Sequence, residues 1–199
     1  DVVPAALEAM IRNGLIRQRE VNELASSLFG VPDNRALTLL LDFKLKGLRA
    51  GVSEYFNVPY LISEYFAEAG LPKSLQDAGA LGQFLIRELP VLTVEAERAE
   101  KARKSGQANL FSMEALEVFA ASGFEKEASR MAAFYLEFDL KDDRYMSRLA
   151  RLGHGQTMAK KVVEAIKATT PITTAQLNFC LESPLVSIDQ SSALLCVDS

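Results

Sequence analysis

The chain has no tryptophan, one histidine and two cysteines in 199 residues, and each shortage removes a class of chemistry. A single histidine, His154, cannot build a multi-histidine metal site. It is also the only histidine base open to a hydrolytic triad, and no Gly-x-Ser-x-Gly or reactive-cysteine context accompanies it. Cys180 and Cys196 match no zinc or redox spacing and are too few for a disulfide framework. They read as free thiols of a reducing compartment, so the expected location is cytoplasmic. No run approaches the ~18 apolar residues of a membrane span, and no basic start followed by an apolar stretch marks a signal peptide. The chain opens on Asp1 rather than Met and is expected to be part of a larger protein or assembly.

Phosphate chemistry is also poorly served. Gly153-His154-Gly155-Gln156-Thr157 has the look of a phosphate loop, but such a loop needs Gly-Lys-Ser/Thr directly after a strand. Here the first lysine is Lys160, and a helix is expected before the loop. No cofactor, metal or catalytic residue is therefore assigned. Net charge is −4 with a pI near 5.2, a balance that counts against gripping a nucleic-acid backbone with the whole domain.

What the chain does have is helical periodicity. Leu37, Leu41, Leu45 and Leu48 form one apolar stripe; Leu75, Ala78, Gly82, Leu85 and Leu89 form another. Phe124, Ala128, Met131, Tyr135 and Phe138 make a third, and Met158, Val162, Ile166 and Thr169 a fourth. Glycines 14, 30, 51, 70, 106, 123 and 153 follow such runs and read as stops. Ser112 and the capping box Thr173-Thr174-Ala175-Gln176 read as starts. Pro59 argues against a helix through Tyr55–Tyr65, because it disfavours the helical conformation at Val58. The expected fold is all-α: an irregular stack of αα-hairpins or a compact multi-helix bundle of about ten to twelve short helices.

The polar helix Val94–Lys104 and the Ser105-Gly106-Gln107 that follows suggest a boundary. The expected organisation is an N-terminal helical lobe over 1–104, a C-terminal lobe over 105–183 and a tail over 184–199, with one continuous domain equally open. The tail carries two short apolar runs and reads as a small hairpin, a lent strand or a loose end.

Lys141, Arg144, Arg148 and Arg151 recur at helical spacing and would line one face, with Lys160 and Lys161 following. From 141 to 167 the local charge is +4, while from 51 to 140 it is −6. Such a face suits an acidic protein surface or peptide, or else is simply solvated. The aromatics Tyr55, Tyr60 and Tyr65 read as a peptide groove or as core. Residues 20–49 partly resemble a helix-turn-helix, with one residue too many before Gly30 and a leucine-rich second helix.

Together these features favour a non-catalytic scaffold or adaptor domain that binds another protein. The alternative is a nucleic-acid-binding regulator using the basic face or the degenerate helix-turn-helix. A third possibility is an enzyme whose carboxylates meet only in the fold, which would leave no local motif. The sequence sets no oligomeric state.

Overall fold

The computed structural model describes residues 2–50, 58–102, 110–137 and 143–182. They form an all-α, multi-helix fold. The helices are α1 (Val2–Arg12), α2 (Val21–Ser26), α3 (Arg35–Arg49), α4 (Val58–Ala69), α5 (Gly79–Ala102), α6 (Met113–Ala121), α7 (Glu125–Ala132), α8 (Asp143–Leu149), α9 (Gly155–Lys167) and α10 (Thr174–Glu182). Among the described residues no helix is long and apolar enough to cross a membrane.

Packing separates two units, Asp1–Glu127 and Ala128–Ser199. The division suggested by sequence, at 104/105, lies outside the described residues, as does the 184–199 tail.

In the first unit α3 is the hub. It packs against α1, α2, α4 and α5, and Leu37, Leu40, Leu41 and Leu45 on it are almost fully buried. Arg35, Lys46 and Arg49 on the same helix are exposed. Its partners contribute Ile62 and Phe66 from α4 and Leu81, Phe84 and Leu85 from α5. Phe111 and Phe119 meet edge to face with ring centres 4.9 Å apart, fixing the α6 end of the same core.

Two expectations from sequence are corrected here. Val58 is helical although it precedes Pro59: α4 begins at Val58, so the proline sits in its first turn, and residues 55–57 of the Tyr55–Tyr65 stretch lie outside the described residues. There its missing N–H would have had no helical partner anyway. The second correction concerns length. The stripe ending near Leu89 and the polar stretch from Val94 are one element, the 24-residue α5, with Pro90 inside it. Pro90 is exposed while Leu85, Leu89, Leu92 and Ala96 are buried, so core contacts carry the helix past the proline.

Gly82 is where the backbone itself demands glycine. A Cβ there would stand 1.7 Å from the carbonyl oxygen of Leu75. The short 3-10 turn Leu75–Ala78 thus lies directly against the first turns of α5.

In the second unit Ala159, Val162, Ile166, Ile172, Leu177 and Cys180 form the core between α9 and α10. The capping box forms as read: Gln176 N donates to Thr173 Oγ1 at 3.2 Å, and Thr173 N donates to Gln176 Oε1 at 2.8 Å. Between α8 and α9 the chain makes a wide turn, Ala150–His154, in which Gly153 takes φ +93°.

Candidate functional site

The most built-up site lies in the first unit, where α3 and α5 begin and α4 ends. Its organiser is Asn34, just before α3. Asn34 Nδ2 donates to the carbonyl of Ala78 at 2.8 Å and reaches the Tyr65 hydroxyl at 3.5 Å. Asn34 Oδ1 accepts the N–H of Leu81 at 3.2 Å, satisfying a donor of the first turn of α5. One side chain therefore holds three elements that are distant in sequence.

Beside it, Asp33 accepts the backbone N–H of Arg35, the first residue of α3, at 3.1 Å and so satisfies one of the helix's free donors. The Arg35 guanidinium folds back onto both carboxylate oxygens at 2.6–2.9 Å. This side-chain bond, with help from the backbone bond, holds the Asp33 carboxyl down to about 2 and raises Arg35 in turn.

These residues surround a cavity of about 790 Å³. Tyr65, Phe66, Leu71 and Pro72 give it apolar walls, and Asp33, Arg35, Asp77 and Gln83 give it polar ones. Tyr65 is held from behind by Phe29 and Phe66, with ring centres 6.1 and 5.9 Å away. Asp77 accepts the hydroxyl of Ser74 at 2.9 Å. On another side of α4 a second hollow, of about 500 Å³, is bounded by Ser26, Phe29, Glu64, Ala67 and Glu68.

The residues singled out by sequence are distributed as follows. Tyr55 and Lys141 lie outside the described residues, and of Arg144 only the backbone is described. Tyr60 is exposed and donates its hydroxyl to Glu64, a bond that raises its pKa. Tyr65 is a buried core residue, so what it offers a ligand is confined to the cavity wall. The tyrosines thus do not make one surface groove among the described residues.

The backbone stays helical from Asp143 through Arg151, with α8 passing into a wider turn at Ala150, and the first non-helical residues are Leu152 and Gly153. Arg148 is half-buried, whereas Arg151 and Lys160 are exposed. Lys161 donates to the carbonyl of Leu136 at 2.6 Å.

Elsewhere the reactive groups have structural employment. His154 Nε2 lies 2.7 Å from the carbonyl of Ser129, an anchor for the wide turn. Cys180 is fully buried, and burial pushes its thiol up to about 11. Glu88, also buried, is pushed up by that burial. Hydrogen bonds from Arg87 at 2.8 Å and Arg49 at 2.5 Å outweigh the effect and leave it below its usual value. Among the described residues no group of three or more His, Cys, Asp or Glu side chains is placed to hold a metal ion.

Asn34 and Asp77 carried no mark in the sequence beyond an ordinary helix start. The nearest signal was Asp33 directly before the leucine stripe of α3. No protein-family model matches the chain, no curated protein matches its sequence and no solved structure matches its fold.

Proposed function

We propose that this chain is a non-catalytic helical adaptor, one domain of a larger protein or assembly, that holds other proteins on its surface. The observation that carries the reading is the chemistry of the 790 Å³ cavity. It is open, its walls are apolar on one part and polar on another, and the Asp33 carboxylate among them is ion-paired with Arg35. A general acid near neutral pH needs its pKa raised by burial or a like charge. Asp33 is instead held to about 2 by its ion pair with Arg35, which suits a fixed structural pair at the cavity and not proton transfer.

A separate contact belongs to the second unit. Arg148, Arg151, Lys160 and Lys161 supply positive charge around the wide turn, and the partner they suit is an acidic protein surface or peptide. The cysteine content, two residues with no disulfide or zinc spacing, is what favours a reducing compartment such as the cytoplasm.

The test is affinity capture from native host lysate by the full chain, beside an Arg151→Glu/Lys160→Glu variant and with nuclease treatment of both. Retention of a discrete protein by the wild type, lost from the variant and indifferent to nuclease, supports the adaptor. Retention of nucleic acid alone, falling steeply with salt, would replace it with a nucleic-acid regulator. If neither chain retains anything, the adaptor reading falls.

A further inference from the structure

The first unit presents the opposite polarity to the basic turn. Asp33 and Asp77 line the larger cavity, whose one lining cation, Arg35, is held by Asp33. Glu64 and Glu68 stand in the smaller hollow with no lysine or arginine among its described lining. Lys73 shares the loop after α4 but not the cavity lining.

Helix α4 adds to this. Its carbonyl end, at Ala69-Gly70, opens into the cavity, and its last turn holds no basic residue. The α1, α6 and α9 helices each close with a five-residue backbone bond: Leu15 N to Met10 O, Phe124 N to Phe119 O and Thr170 N to Ala165 O. Among the described residues no such bond closes α4. A helix end of this kind favours a cation.

The Tyr65 hydroxyl supplies an independent pointer. Tyr65 is only 8% exposed and lines the cavity. Its oxygen receives the long bond from Asn34, and among the described residues nothing accepts its proton. Tyr65 lines the open cavity, so an occupant that brings an oxygen can accept its proton there in place of water.

We propose that the cavity and the hollow on the other side of α4 dock a segment of a partner protein carrying lysine or arginine beside an apolar residue. The apolar side chain packs on Phe66, Leu71 and Pro72. A backbone carbonyl of the segment takes the Tyr65 proton, and the cation sits between the end of α4 and the carboxylates. The chain's own tail has the wrong charge for this place, since residues 184–199 carry Asp189 and Asp198 and no lysine or arginine. The proposal rests on the adaptor reading but concerns a different surface from the one altered in the lysate experiment.

The experiment is selection of a random-peptide phage library on the full chain, followed by fluorescence anisotropy with the synthesised consensus peptide. The expected consensus has lysine or arginine next to an apolar residue. Tyr65→Phe, which keeps the ring, should weaken that peptide about 2- to 10-fold, the value of one hydrogen bond. Asp77→Asn/Glu68→Gln should weaken it at least as much, with far-UV circular dichroism unchanged in all variants.

An acidic or uncharged consensus, no consensus at all, or a peptide indifferent to these variants overturns the proposal. A consensus matching Lys101-Ala102-Arg103-Lys104, with self-association of the chain, overturns the partner in favour of a second copy. Any of these outcomes leaves the adaptor reading to stand or fall on the lysate capture.

Discussion

Replacing Gly82 by alanine sets two effects of opposite sign against each other. Alanine is about 1 kcal/mol better than glycine inside a helix, so propensity alone makes Gly82→Ala stabilising. The structure demands the reverse. The new methyl carbon would lie 1.7 Å from the Leu75 carbonyl oxygen and 2.9 Å from its carbon. Both are backbone atoms, so no rotamer change relieves the overlap. The Leu75–Ala78 turn must retreat by more than 1 Å, and Leu75 and Ala78 are themselves buried. Overpacking of this kind costs about 1–3 kcal/mol, with rigid backbone at the upper end. Set against the propensity gain, a net loss of about 2 kcal/mol remains. That corresponds to a fall in Tm of roughly 4–8 °C for a chain of this size.

Urea unfolding followed by circular dichroism measures the effect. Gly155→Ala serves as the control, because its nearest neighbour is the Ala150 Cβ at an ordinary 3.7 Å. That variant should be neutral or slightly stabilising. A Gly82→Ala protein as stable as the wild type would refute the close packing of the turn against α5. The cavity wall described above would fall with it, since Asp77 and Ala78 belong to that turn.

Asn34→Ala should cost about 2–3 kcal/mol in the same assay, because the Ala78 carbonyl and the Leu81 N–H both lose their partner; a loss under ~0.5 kcal/mol would contradict its joining role. Glu88 has a folded pKa below its usual 4.5, so the stability it contributes is present above about pH 4.5 and disappears as pH falls through the lowered value. The stability gap between wild type and Glu88→Gln should therefore close on acidification, and a constant gap would count against the Arg49–Glu88–Arg87 arrangement. The Cys180 thiol, at about 11 when folded, should react with iodoacetamide near pH 8 far more slowly in the folded chain than in urea. Its contribution to stability is complete below about pH 9 and declines as pH rises towards 11. Thr173→Ala should cost about 1 kcal/mol by removing the cap of α10.

Local chemistry was legible in the sequence where its partners are neighbours. The Thr173–Gln176 box and the Ser112 cap, which accepts from Ala115 N at 3.2 Å, formed as their spacing demanded. The leucine stripe of α3 pointed inward as its period required. Val58 is helical despite preceding Pro59, because it is the first residue of α4 and the proline falls in the first turn. Gly153 ends the α8 run as a stop glycine should, with φ +93°, after a backbone that stays helical through Arg151. The cavity was not legible at all. Asn34 meets Tyr65 and Ala78 across 31 and 44 residues of chain, and no pattern within a helical window encodes such a meeting.

Pro90 also marks where α5 depends on the rest of the molecule. A helix propagates by adding one backbone hydrogen bond per residue, and at Pro90 that bond has no donor. Local propensity therefore favours a break there, and the burial of Leu85, Leu89, Leu92 and Ala96 on both sides of the proline offsets it. The part of α5 that walls the cavity, at Gly79, Ala80 and Gln83, lies ahead of that joint.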